Sequence, residues 1–518
     1  MTGLALSLLA AYLPATGLAW GQAPITELLR EADAKIQEGK LVEAESLLQR
    51  AIQRAPRNAM AHNLMGIVLD QQGRAGEAER SYREALRLDP QLIGAQANLG
   101  VLFVRTKRPE QAIEAFEKVL RQVPNHPQAT YNLGLLYAAR GDYARAIPLL
   151  EAINGISKAG EIPKQIDPPL LLALIDAYLR GGRLDAARPL IDDLEAGGGN
   201  NPPLLFNLGL SLAAAREYQR AVSFFERTNR LRPGTFEVLY NLGVAYYNLD
   251  RLSEAAEALQ AAANLSPQDP EPLYRLGLVA SAQGNSELAL TMWQRALKLR
   301  ENFPQANFMI GEELLKTNRN NEIASQFLER AIAQDGTKLV YYVRLGAAYI
   351  RIQEYAKAQK VFERAASLFP ESPDAHYLIG YAARGLAKYD EALRAFAQAD
   401  KLRPDHPETI ANLGFIAGER GQHAEAERLL RRAIELDPKP FPPYYDLGRL
   451  LVRRRRFEEA VPVLRQGIEL NADDPGIHYQ LFTALSRLNR REEAEKEFAL
   501  FQRLEAARKQ QGKQKPKP

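Results

Sequence analysis

An alanine returns every 34 residues along almost the whole chain, and that spacing constrains the fold more than any other feature. The series runs Ala44, Ala78, Ala112, Ala146, then Ala187, Ala221, Ala255, Ala289, then Ala324, Ala358, Ala392, Ala426, Ala460 and Ala494. Eleven of its thirteen intervals are 34 residues; the other two are 41 and 35. A glycine ladder runs in phase: Gly66, Gly100, Gly134, Gly209, Gly243, Gly277, Gly311, Gly346, Gly380, Gly414 and Gly448. A fixed period of this length means stacked supersecondary units, each burying its apolar face against its neighbours. It points to an extended binding surface rather than a catalytic pocket.

The stretch 59–92 shows what one unit is. Leu64, Met65, Ile67, Val68 and Leu69 form an apolar helical run that stops at Gly73, and Ala78, Tyr82, Ala85 and Leu86 mark one face of a second helix. Asp89-Pro90 closes the unit, since proline lacks an N–H and disfavours helix at the residue before it. Each repeat is therefore helix, turn, helix. A glycine inside a helix costs about 1 kcal/mol relative to alanine, so eleven cost on the order of 11 kcal/mol. Close helix packing must offset that, and the expectation is that each ladder glycine faces the ladder alanine of its own repeat. Gly39, Gly73, Gly141, Gly182, Gly284 and Gly421 fall between the helices, where a left-handed cap ends the first one.

Asn241-Leu242-Gly243, Tyr246, Ala255, Leu259, Ala262 and Pro267 follow in order the pattern of the tetratricopeptide repeat, and the resemblance covers roughly residues 25–505. It implies an all-α, right-handed α-solenoid superhelix of about 14 tandem repeats, whose first helices line the concave face. Tetratricopeptide arrays are interaction modules, so the resemblance implies a protein or peptide partner. One fold hosts many roles, so the partner does not follow from it.

The ends and breaks of the array set its divisions. Residues 1–23 hold a short apolar segment, Leu4 to Leu13, with small residues at cleavage spacing and no charge before Glu27; this reads as a secretory signal peptide. An exported, periplasmic protein is expected from it, with a cytoplasmic protein bearing an apolar leader as the alternative. The chain has no cysteine, which excludes disulfides, thiolate metal sites and a cysteine nucleophile. The 41-residue interval places seven extra residues between Asn154 and Pro169, and the next repeat ends in Gly197-Gly198-Gly199-Asn200-Asn201-Pro202-Pro203. The reading is an N-terminal block over 24–153, an irregular repeat over 154–203 that is either a hinge or tolerated loop growth, a C-terminal block over 204–505, and a basic disordered tail over 506–518.

Candidate binding residues lie at fixed places on the first helices. Asn98, Asn132, Asn207, Asn241 and Asn412 stand two residues before a ladder glycine, and an aromatic stands one residue earlier in many repeats: Tyr131, Phe206, Tyr240, Tyr274, Phe308, Tyr377, Tyr445 and Tyr479. An asparagine amide both donates and accepts, so a stripe of them suits a peptide backbone of any sequence, and tyrosine adds contact area with a polar tip. The stripe resembles the repeat arm of the O-linked N-acetylglucosamine transferases, whose inner asparagines hold client peptides. Arg275, Arg344, Leu378 and Asp446 interrupt it. The competing use of these side chains is structural, with asparagine bonding inside its own repeat and tyrosine packing on the next.

The six histidines fill repeat-framework positions rather than ligand pairs, so no metal is expected, and neither a phosphate-cradling glycine loop nor a nucleophile motif is present. The expectation is no enzyme, no cofactor and no small-molecule substrate. Residues 440–518 hold 16 Lys/Arg against 11 Asp/Glu, and Arg453, Arg454, Arg455 and Arg456 stand together in an inter-helix turn. This basic end suits an anionic surface, while the lack of aromatic–basic interleaving argues against nucleic acid. The sequence thus predicts a non-catalytic scaffold or adaptor, with an envelope assembly or secretion role if exported. The alternatives are the client-recruiting arm of a glycosyltransferase complex and a membrane or nucleic-acid tether.

Overall fold

The computed structural model describes residues 23–155, 168–196, 200–318 and 320–513. Among them are twenty-eight α-helices and no strand, arranged as fourteen helix–turn–helix pairs, so the chain is an all-α solenoid. It divides into two units, one ending at Leu265 and the other beginning at Ser266, with seven pairs in each. None of the described helices is long and apolar enough to cross a membrane. Residues 1–22 of the segment expected as a signal peptide lie outside the described residues, and α1 (Ala23–Gln37) begins at its last residue.

Within each pair the ladder residues set the packing. Thirteen of the fourteen ladder alanines are fully buried, and Ala494 nearly so. The glycines, however, do not face them. A Cβ built on Gly66 would fall 2.5 Å from the Tyr82 ring, one on Gly209 2.5 Å from Phe225, and one on Gly243 2.6 Å from Leu259. The receiving position is always four residues past the ladder alanine, and it carries the repeat's large side chain: Phe116, Leu150, Trp293, Leu328, Phe362, Phe396, Leu430 and Leu464 in the other repeats. The expected glycine–alanine facing is thus corrected: the missing Cβ admits a ring or branched chain one turn further along the second helix. Backbone approach contributes too, since the Leu259 amide nitrogen would lie 3.2 Å from a Cβ at Gly243.

Turns between the helices use the left-handed conformation. Gly39, Gly73, Gly141, Gly182, Gly284 and Gly421 all have φ between +71° and +81°, as expected. Other repeats hold the same turn with residues that carry a Cβ: Lys107, Arg216, Asp250, Gln353, Ala387, Arg455 and Asn489 at φ of 56° to 64°. The 35-residue interval is absorbed in such a turn, between α17 (Pro304–Lys316) and α18 (Asn321–Gln334), where Asn318 and Asn320 are both left-handed.

Two recurring hydrogen-bond patterns fix neighbouring pairs. Four residues before the ladder glycine, or before Phe482 that replaces it in the last repeat, His62, His376 and His478 each turn Nε2 to the carbonyl six residues earlier, at 2.9–3.0 Å; the carbonyl accepts, so Nε2 is the protonated nitrogen. Tyr342 and Tyr444 donate to the equivalent carbonyls at 3.1 Å. This is the framework role the sequence predicts for these histidines. Glu45, Glu79 and Glu427, each directly after a ladder alanine, take Arg74, Arg108 and Arg456 from the next repeat at 2.9, 2.7 and 2.5 Å.

Inside each unit the first helices of successive pairs also touch. In the first unit α3 (Ala59–Gln71), α5 (Ile93–Arg105) and α7 (Pro127–Arg140) run side by side; in the second, α17, α19 (Leu339–Arg351) and α21 (Pro373–Gly385) do. The stretch expected as a hinge keeps its neighbours: α9 (Pro168–Arg180) packs on α8 (Tyr143–Ile153) before it and α11 (Pro202–Ala214) after it. Residues 156–167 and 197–199 of that stretch lie outside the described residues. The expected disordered tail is corrected in part. The last helix, α28 (Arg491–Lys513), continues eight residues past Glu505, because Ala506, Ala507, Arg508, Lys509, Gln510 and Gln511 are all good helix formers. Residues 514–518 of the tail lie outside the described residues.

Two pairs of substitutions test this packing by urea or thermal denaturation. Gly243→Ala should destabilise by roughly 1–3 kcal/mol through overpacking despite alanine's helix propensity, whereas Gly76→Ala, on α4 (Ala75–Leu88) with nothing within 4 Å of a new Cβ, should be neutral or stabilising by up to about 1 kcal/mol. Ala387→Gly should stabilise by about 1 kcal/mol by relieving the left-handed turn, and Gly73→Ala should cost a similar amount.

Candidate peptide-binding surface

The first-helix layer carries the asparagine stripe, and the structure splits its members by how much of each amide is already used. Asn132 and Asn241 each donate one Nδ2–H to the carbonyl four residues earlier on their own helix, at 2.8 and 2.7 Å. One N–H and the Oδ1 of each amide take no further partner among the described residues. Asn207 is exposed. Asn98 donates to Oδ1 of Asn63 in the preceding repeat, at 3.2 Å. Asn412 is buried and fully engaged: Nδ2 donates to the Glu408 carbonyl at 2.7 Å, and Oδ1 accepts from Arg384. The structural use of asparagine therefore holds completely at Asn412 and only in part elsewhere.

The aromatic residues act mainly as packing groups. Phe206 lies 5.8 Å from Phe225 of its own repeat, while Tyr274, Phe308 and Tyr377 meet Phe303, Tyr341 and His406 of the next, at 5.0, 4.6 and 6.0 Å. Tyr131, Tyr240 and Tyr445 are half-buried. Tyr377 is buried deeply enough that its hydroxyl is pushed up to about 12. Tyr479 differs, with 45% of its surface exposed.

Where the stripe departs from asparagine, the second unit builds charged contacts between repeats. Arg344 pairs with Glu312 at 3.1 Å, and burial raises the Glu312 carboxyl above its ordinary range. A larger cluster joins α21, α23 (Pro407–Glu419) and α25 (Phe441–Arg453). The Arg384 guanidinium lies 4.2 Å over the Phe415 ring and that of Arg449 5.4 Å over it, so two cations share one aromatic face group. Arg449 is also 2.9 Å from Glu419 and 3.5 Å from Asp446, and Arg453 is 3.7 Å from Glu419. Asp446 is 9% exposed. Burial pushes its carboxyl up from 3.8 to about 6, with Arg449 and Arg384 opposing the rise and Glu419 adding to it. The cavity beneath the cluster is about 10 Å³, room for one water and no more. Arg384, Phe415, Glu419 and Arg449 were not singled out from sequence, because they come together across three repeats; the one pointer was Asp446 standing in an asparagine position.

The four-arginine turn is only half available. Arg453 and Arg456 are held by Glu419, Glu427 and Glu459, while Arg454 and Arg455 are exposed and have no carboxylate partner among the described residues. No group of three or more His, Asp or Glu side chains that could hold a metal converges among the described residues.

Stacked helix pairs with one side-chain-bearing layer define an α-solenoid interaction protein. Comparison with known families agrees. Tetratricopeptide repeat profiles match residues 29–93, 98–159, 206–270 and, in a second version, 137–208, and the profile of the cilia and flagella-associated protein 70 C-terminal domain matches 301–516. The chain belongs to the tetratricopeptide repeat family, whose repeats serve as protein–protein interaction scaffolds. Among curated proteins it is similar to the protein O-mannosyl-transferase TMTC3 of Homo sapiens, 28% identical over 188 residues, and to the BBSome complex member BBS4 of Bos taurus, 27% identical over 129 residues. These matches cover 33% and 25% of this chain but only 20% and 25% of the relatives. Among solved structures, the C-terminal part of a TPR repeat-containing protein from Cytophaga hutchinsonii superposes with a TM-score of 0.41 at 16% identity, covering 47% of this chain and 99% of that one.

The Asp446 cluster yields a pH prediction. Because its folded-state value lies above the unfolded one, the protonated form stabilises the fold below about pH 4, and that contribution is lost as the pH climbs through 6. The rise is worth at most about 3 kcal/mol. Asp446→Asn should therefore stabilise by roughly 1–3 kcal/mol at pH 7.5 and hardly at all at pH 4, in denaturation curves taken at both.

Proposed function

We propose that this chain is a non-catalytic scaffold that holds an extended segment of a protein partner along the first-helix layer. The observation that carries the reading is the partly used amide at Asn132 and Asn241: the bond to the own-helix carbonyl fixes the side chain, and the remaining N–H and Oδ1 are of the kind that pairs with a peptide's own C=O and N–H. Exposed Asn207 extends the same chemistry. The fixed rotamer lowers the entropy lost on binding. Asn412, with its amide saturated, contributes through Arg384 and Phe415 instead of by direct contact. The apolar leader supports export and a role in an envelope assembly, which N-terminal sequencing of the protein from its native host tests directly.

A second reading has one observation behind it. Similarity to a relative named as an O-mannosyl-transferase favours a client-recruiting arm of a glycosyltransferase complex. Transferase activity that appears only when a second chain is added would support it.

Affinity capture of the chain from its host, compared with a variant carrying alanine at Asn132, Asn207 and Asn241, tests the groove. Loss of about 1 kcal/mol per asparagine is expected, so a micromolar partner should fall below detection in the triple variant. Full retention would remove the groove from consideration.

A further inference from the structure

A second recess lies at the far end of the second unit; it takes in Tyr445 and Tyr479 of the aromatic row but none of the stripe asparagines. It is an open cleft of about 320 Å³ between α25, α27 (Pro475–Arg487) and α28. Its walls are aromatic. Tyr479, the most exposed aromatic ring of the chain's described residues, meets Phe501 at 5.2 Å between centroids. Tyr445 forms the opposite wall, and its ring and hydroxyl would lie 3.1 Å from a Cβ at Gly476; the absence of that Cβ keeps the floor open.

Two carboxylates stand at the rim. One Asp474 oxygen caps α27 by accepting the Ile477 N–H at 3.0 Å, which fixes a side chain that also lines the cleft. The Glu505 side chain is only 30% exposed, and its ion-pair partner among the described residues is Arg508, at 3.8 Å and itself 75% exposed. Rings that present π-faces, with carboxylates beside them in a partly desolvated recess, attract cations by quadrupole and by charge together. The volume suits one long side chain, and a fixed acid with a weakly held arginine is a cation site already occupied loosely from within.

From this arrangement we infer that the cleft is a recognition site for a cationic side chain, lysine or arginine, presented by a protein partner. The incoming cation lies against Tyr479 and Phe501, pairs with Glu505 and Asp474, and displaces Arg508 into solvent. This site is independent of the asparagine groove and gives the scaffold a second, charge-selective contact.

Fluorescence anisotropy on the full chain tests it, with labelled peptides of sequence Gly-Pro-Lys-Pro-Gly and counterparts bearing Gln or Glu at the centre. The Lys peptide should bind at least about tenfold tighter than the Gln peptide, and the Glu peptide weakest. Tyr479→Ala and Glu505→Gln should each weaken the Lys peptide about fivefold to tenfold, and Arg508→Gln should tighten it a few-fold by removing the internal competitor. Tyr479 is exposed, so unchanged melting midpoints will show that the fold is intact; Glu505→Gln, which alters no packing, is the safeguard if Tyr479→Ala melts early. Equal binding of the Lys and Gln peptides overturns the proposal. So does Lys-peptide binding that ignores both cleft substitutions, or that is lost in the groove variant lacking Asn132, Asn207 and Asn241 but kept in Tyr479→Ala.

Discussion

Eleven of the fourteen helix pairs rest on one contact, the entry of a large side chain into the space left by a helix glycine. It joins the two helices of a pair at eleven places, from Tyr82 on Gly66 to Leu464 on Gly448. The helix is weakened locally by the glycine, and the pair is strengthened by far more contact area than the glycine costs. The ladder alanine plays the complementary part. It lies fully buried one turn before the large residue, where any larger group would hold the helices apart.

Once pairs are made this way, the links between them are polar and repeat as regularly as the core does. The His or Tyr bonded to a junction carbonyl, and the Glu–Arg bridge from one second helix to the next turn, are individually modest. Their effect is to set the angle between neighbours many times over. The same logic explains Tyr246 and its equivalents, which donate to a glutamate of the preceding pair while an arginine or lysine stacks on the ring: Tyr137 with Glu117 and Arg145, Tyr178 with Glu151 and Arg183, Tyr246 with Glu226 and Arg251. Burial and the nearby carboxylate push the Tyr246 hydroxyl up to about 12, so the bond persists across the physiological range.

Much of this was legible in the sequence, because a solenoid repeats its local rules. The helix pairs, the left-handed glycine turns and the framework role of the histidines all follow from register. Two kinds of information were not there to read. Which residue fills a glycine's space depends on helix crossing, so the ladder alanine looked like the partner when the residue four places later is. Contacts between repeats also escape a one-dimensional pattern: Arg384, Phe415 and Arg449 are 31 or more residues apart and meet only through stacking. The left-handed turns at Ala387 and Gln353 carry no local signal either, since their side chains disfavour the conformation they adopt. The stripe asparagines were visible as a row, but not the division into saturated and partly used amides.

The turn between α17 and α18 carries a broader lesson. One extra residue enters the chain there, yet Gly311 still receives Leu328 as its counterparts receive theirs. The molecule measures itself in contacts, not in chain length, and a length change at a turn is absorbed where it occurs. Each pair is thus answerable only to its neighbours. Evolution can lengthen a turn, swap an asparagine for an arginine on one first helix, or copy a pair outright without renegotiating the rest. A surface assembled from such units is edited one letter at a time, which explains how a single backbone plan comes to present amides in one stretch, paired charges in another and an aromatic cleft at its end.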